Sequence, residues 1–159
     1  MRQIKLLTLL AAFALPFIFS PNTAHAQANG NGGDIGIGLM LGEPTGISVK
    51  SWNNTRSAFA FGAAWSFGRN DALHMHGDFL LHNWLDDVEE GELAFYYGFG
   101  ARLALADPDA RLGIRVPVGL NYIIPEVPLD LFIEAVPIFN LTPSTDFDGN
   151  GALGVRYYF

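Results

Sequence analysis

The sequence predicts an all-β protein: a single closed antiparallel eight-stranded transmembrane β-barrel behind an N-terminal signal peptide. Three observations predict it. Large apolar residues alternate with small or polar ones along nearly all of residues 34–159, the period at which successive strand side chains face opposite ways. The stronger apolar faces carry no charge. The first 26 residues have the layout of an export signal.

Composition narrows the function classes. At 159 residues the chain holds one domain. Half of its residues are hydrophobic and only 16% are charged, against roughly 25% in an ordinary soluble domain. Beyond the leader no uncharged stretch reaches roughly 18 residues, so no transmembrane helix is expected there. A formal charge of −7 and a pI near 4.8 argue against a nucleic-acid partner. The chain has no Cys, which excludes disulfide scaffolds, thiolate metal sites, Cys nucleophiles and a lipidated N-terminal Cys.

The leader MRQIKLLTLLAAFALPFIFSPNTAHAQ opens with Arg2 and Lys5 and continues in an apolar run from Leu6 to Phe19. Ala24-His25-Ala26 then supplies a small-x-small cleavage site. Cleavage after Ala26 leaves 133 residues and, with Arg2 and Lys5 gone, takes the formal charge to −9. The expected organisation is a signal peptide over 1–26, a flexible Gly/Asn segment over 27–33 and the barrel over 34–159.

The strands follow in order. Ile35, Ile37, Leu39 and Leu41 alternate with Gly36, Gly38 and Met40, and Ile47 and Val49 with Ser48, Lys50 and Trp52. Phe59, Phe61, Ala63, Trp65 and Phe67 alternate with Ala58, Ala60, Gly62, Ala64 and Ser66. Leu73, Met75, Phe79 and Leu81 oppose His74, His76, Asp78 and His82. From Leu93 to Leu105 the odd residues are apolar, and from Leu112 to Ile124 the even ones are. The run from Leu129 to Leu141 and the closing Leu153, Val155, Tyr157 and Phe159 complete the set. Turn signals separate them at 42–46, 53–54, 68–71, 86–92, 107–109, 125–128 and 142–151. Most of these strands are roughly 9–13 residues long, enough to cross a bilayer at a tilt.

The weaker faces decide which side looks where. Ala58, Ala60, Gly62, Ala64 and Ser66 suit a crowded interior, where small residues make room for long side chains from the opposite wall. Lys50, Arg102, Arg111, Arg115 and Arg156 fall on the inward parity, as do the strand acids Asp78, Asp130 and Glu134. These eight form the expected lumen charge network. Asp78 and Glu134 are expected to bind Arg102 and Arg115, with Glu134 also approaching Arg156. An open sheet edge in hydrocarbon would strand backbone polar groups, so the sheet closes.

The ending GVRYYF, with Leu153, Val155, Tyr157 and Phe159 at alternate positions, resembles the C-terminal signature of bacterial outer-membrane β-barrels, read in that class by the barrel-assembly machinery. In size and pattern the chain resembles the small barrels of the OmpA-transmembrane and OmpX type. The runs GLMLGEPTGISVK, YYGFGARL, GIRVPVGLNY and DLFIEAVP look like a family of small outer-membrane barrels of unknown function. The resemblance implies residence in the outer membrane of a Gram-negative-type envelope and contact with outer-membrane lipids and lipopolysaccharide; the even strand number with a periplasmic C-terminus is expected to put both termini in the periplasm. It implies no chemistry.

Candidate chemistry lies among the inward residues. His74 and His76 form an H-x-H pair that Asp78 or His82 would extend into a metal set. His74 and His82, eight residues apart, are too distant to share one ion, and the stripe is assigned to lumen hydrogen bonding, with no cofactor expected. A lipid A-modifying enzyme needs a Ser beside a base; the inward strand serines are Ser48 and Ser66, and no His-x-Ser spacing occurs. A narrow ion channel is the other alternative, disfavoured by an eight-stranded interior filled by its own side chains. The expected function is a non-enzymatic structural or surface-interaction barrel.

Overall fold

The computed structural model describes residues 34–43, 45–66, 72–106 and 109–159. The expected signal peptide and Gly/Asn segment lie outside the described residues, as do Phe67, the Gly68–Asp71 turn and residues 107–108. Among the described residues there are nine strands: β1 (Ile35–Glu43), β2 (Thr45–Trp52), β3 (Ser57–Ser66), β4 (Ala72–Leu85), β5 (Glu92–Ala106), β6 (Ala110–Arg115), β7 (Val118–Ile123), β8 (Leu129–Thr142) and β9 (Asp146–Tyr158). Sequence neighbours hydrogen-bond antiparallel, except that β6 and β7 both lie between β5 and β8, and β9 returns to β1, with Leu39 opposite Val155. The sheet is a closed ring.

The nine strands make eight staves. β6 and β7 are halves of one stave: Gly100↔Arg115 and Tyr97↔Val118 keep a single register on β5, and both halves pair with β8. Sequence periodicity predicts one continuous strand from Leu112 to Ile124, and the break comes at Pro117. Proline has no N–H to give the ladder. The stave survives because the Pro117 carbonyl accepts from Gly98 N–H at 2.9 Å and Val116 N–H donates to the Pro137 carbonyl at 3.0 Å.

A second departure lies in the last hairpin. Gly, Asn and Asp at 142–151 read as a long loop, but β9 already starts at Asp146, and Phe139↔Phe147 and Pro137↔Gly149 are ladder pairs. Pairing with β8 overrides the weak strand propensity of these residues.

The alternation points as expected. Leu39 is 61% exposed, Phe99 65%, Ile133 57% and Leu153 55%, while Lys50, Asn121 and Asp130 are fully buried. Apolar residues face out and charges face in, the inverse of a soluble core.

The barrel lumen as candidate functional site

Lumen side chains gather in three tiers. At the end where the described chain begins and stops (the terminal end), Asp130 and Arg156 are direct cross-strand partners of β8 and β9. Arg156 Nε donates to Asp130 Oδ1 at 3.0 Å, and the Tyr158 hydroxyl donates to Oδ2 at 2.7 Å. The Lys50 ammonium from β2 lies 3.9 Å from the same carboxylate and donates to His82 Nε2 at 2.9 Å and to the Asn121 side-chain carbonyl. It also sits 4.0 Å from the centre of the Trp52 ring, and Arg156 lies 4.0 Å over Phe132.

The middle tier joins β4 to the β6 stave across β5. Asp78 is opposite Gly100, and Gly100 is opposite Arg115. The glycine lets the two side chains meet over its bare Cα: Arg115 Nε is 2.9 Å from Asp78 Oδ1. A Cβ on residue 100 would stand 2.0 Å from that carboxylate oxygen and 2.2 Å from the Gly77 carbonyl. Arg115 Nη2 reaches Glu134 Oε1 at 3.4 Å, and the Tyr96 hydroxyl donates to Glu134 Oε2 at 2.9 Å.

Nearer the opposite rim (the hairpin end), Arg102 Nη2 donates to Asn140 Oδ1 at 2.8 Å and to Asp148 Oδ2 at 2.9 Å. Asn140 Nδ2 donates in turn to Asp146 Oδ1 at 2.6 Å. Arg111 is half-buried beside this tier, opposite Ala104.

Several expected pairings are replaced. Arg102 is held by Asp148 and Asn140; Asp78 goes to Arg115 alone of the arginines. Arg156 takes Asp130, because Glu134 lies opposite Ala152, four residues along β9 from Arg156. Asn121, Asn140, Tyr96 and Tyr158 lie on the inward parity but stand outside the expected network, and Asp148 falls in the expected 142–151 turn. A signal for Asp148 existed: parity carried back from Leu153 through Gly151 and Gly149 places it on the inward face.

The histidines do not converge. His76 Nε2 is 3.9 Å from Asp78 Oδ2, whereas His82 is with Lys50 in the terminal tier. Among the described residues no group of three or more His or acidic side chains is placed to hold a metal ion.

The barrel is similar to the N-terminal β-barrel domain of Pseudomonas aeruginosa OprF, with a TM-score of 0.57 and 13% identity over 80% of this chain and 99% of that one. The chain has an outer-membrane barrel fold. Neisserial surface protein A aligns over 79% of this chain and 93% of its own, with 14% identity and a TM-score of 0.48. No family model and no curated protein matches the chain. The finer likeness to barrels of unknown function rests on the quoted runs alone.

Proposed function

We propose that this chain is an integral outer-membrane barrel with a plugged, charged lumen and a structural or surface-interaction role. The observation that carries it is the inversion of the wall: Leu, Ile and Phe outside, guanidinium, ammonium and carboxylate groups buried inside. In water such a surface aggregates; in a bilayer each outward apolar side chain stays in hydrocarbon. The side chains of Lys50, Asp130 and Asn121 are fully buried in the terminal tier, which supports a plug rather than a pore. Outer-membrane lipids and lipopolysaccharide are the proposed surroundings, and the barrel-assembly machinery reads Leu153, Val155, Tyr157 and Phe159.

Purified barrel is tested in planar bilayers and, separately, against lipid A. The expected results are no discrete conductance step and no mass change. A step overturns the plug, and a mass change makes the chain an enzyme.

Orientation is proposed with both termini periplasmic. A Cys introduced at Glu90 is then shielded from an impermeant label on intact cells while one at Asp109 is labelled, and the reverse pattern inverts the barrel. Deleting Phe159 should reduce the heat-modifiable folded form in the outer membrane; unchanged amounts remove the insertion role.

A further inference from the structure

β4 and β5 outrun the wall at the terminal end. The ladder between β3 and β4 stops at Ser57 opposite Leu81, yet β4 continues beside β5 as far as Leu85, opposite Leu93. This tall hairpin, joined by residues 86–91, stands next to the short turn at 53–56. Two bonds tie them: His82 N–H donates to the Arg56 carbonyl at 2.7 Å, and the Trp84 indole N–H donates to the Thr55 carbonyl at 2.7 Å. Beyond those bonds, at the step in wall height, lies a half-open pocket of about 390 Å³.

The pocket has two kinds of wall. Leu85, Val88, Leu93 and the Trp84 indole are apolar, and Asp86 and Glu92 are acidic. Trp84 is braced from the lumen by Trp52, the rings stacked 5.9 Å apart at 25°. The loop is fixed by Gly91, whose φ of 72° suits glycine, and by the Tyr122 hydroxyl donating to the Glu90 carbonyl at 3.2 Å. Asp87, Glu89 and Glu90 add three exposed carboxylates outside the pocket. The base in the facing turn is Arg56, which takes part in no ion pair among the described residues.

We propose that this pocket receives a lysine or arginine side chain presented by an extended segment of another protein. The apolar stem of such a side chain covers Leu85, Val88 and Leu93. Its cationic head lies between Asp86 and Glu92 and against the face of Trp84, an arrangement that favours ammonium or guanidinium groups. The surrounding carboxylates repel anionic ligands and draw a cationic partner to this rim. The inference goes beyond the structural role and does not depend on which side of the membrane the rim faces.

The test uses the full barrel in zwitterionic detergent and two acetylated pentapeptide amides, Leu-Leu-Lys-Leu-Leu and the same peptide with norleucine for lysine. Binding is read by calorimetry, and the folded state of every variant by heat-modifiable mobility. The lysine peptide is expected to bind about tenfold more tightly than the norleucine peptide, the worth of one well-placed charge contact. Asp86→Asn with Glu92→Gln should remove about that factor, while Asp87→Asn with Glu89→Gln and Glu90→Gln should weaken binding about threefold or less. Absence of lysine-peptide binding, equal binding of the two peptides, or equal loss in the two sets of variants each overturns the proposal.

Discussion

The terminal and hairpin-end tiers of the lumen use the same chemistry, an arginine of one stave against an aspartate of β8 or β9, with opposite surroundings. Asp130 is fully buried, and three groups share its two oxygens: Arg156, Tyr158 and Lys50. Asp148 is paired with Arg102, but its side chain is 41% exposed. A carboxylate removed from water depends on its partners, whereas one at the rim can be solvated without them. Charge pairs in one barrel therefore range from structural keystones to near-neutral surface contacts according to depth.

The largest effect is expected where no solvent can replace the lost partner. Asp130→Ala leaves the Arg156 guanidinium and Lys50 ammonium facing each other in the dry end of the lumen, and should cost about 3–5 kcal/mol. Asp78→Ala, which leaves Arg115, at 2% exposure, with Glu134 as its one carboxylate partner, belongs to the same range. Both are read from the unfolding midpoint in detergent, with Asp109→Ala in an exposed turn as reference. Midpoints equal to the reference would mean that the buried tiers contribute nothing to the fold.

A smaller effect isolates geometry from charge. Gly100→Ala keeps every ionisable group but puts a methyl where Asp78 and the Gly77 carbonyl now lie. The Gly77 oxygen belongs to the neighbouring strand, so the ladder itself must shift, and overpacking of this kind costs about 1–3 kcal/mol. In the Asp78→Ala background there is less to displace. The Gly100→Ala penalty should shrink there, and a double-mutant cycle measures by how much. Strict additivity would show that Gly100 has no part in bringing Asp78 to Arg115.

These residues also show what the sequence could and could not reveal. Parity was readable because a strand has only two faces: once Ile133 and Leu131 point outward, Asp130, Phe132 and Glu134 must point inward. Pairing was less readable, because it depends on register, and register depends on where each turn begins. A loop over 142–151 excludes Asp148 from the lumen acids, and the expected Glu134–Arg156 contact does not form because their ladder positions differ by four residues. Composition argued for a loop there; the continuous ladder with β8 argued otherwise and was not visible in one sequence. The break at Pro117 was open to prediction from its missing N–H, yet the surrounding alternation concealed it. The rim pocket was invisible for a third reason: it arises from unequal strand lengths around the ring, which local patterns do not encode.

The smallest predicted effect gives the sharpest division between the two tiers. In Asp148→Asn the new amide oxygen can still accept from Arg102, and Asn140 remains bonded to the same guanidinium. What is lost is Coulomb attraction between one buried and one partly exposed group, a loss of about 1 kcal/mol or less at low ionic strength. Salt acts on that attraction because water and ions reach Asp148: the screening length falls from about 30 Å at 0.01 M to about 3 Å at 1 M. The Asp148→Asn deficit should therefore fade as NaCl rises towards 1 M. Asp130→Asn is the matched control, since ions do not reach a fully buried carboxylate and its larger deficit should hold across the same range. Stability of wild type and both variants, measured at low and high salt in one detergent, separates the outcomes. A salt-insensitive Asp148 deficit as large as that of Asp130 would mean that the rim is as dry as the terminal end, and the depth gradient would be gone.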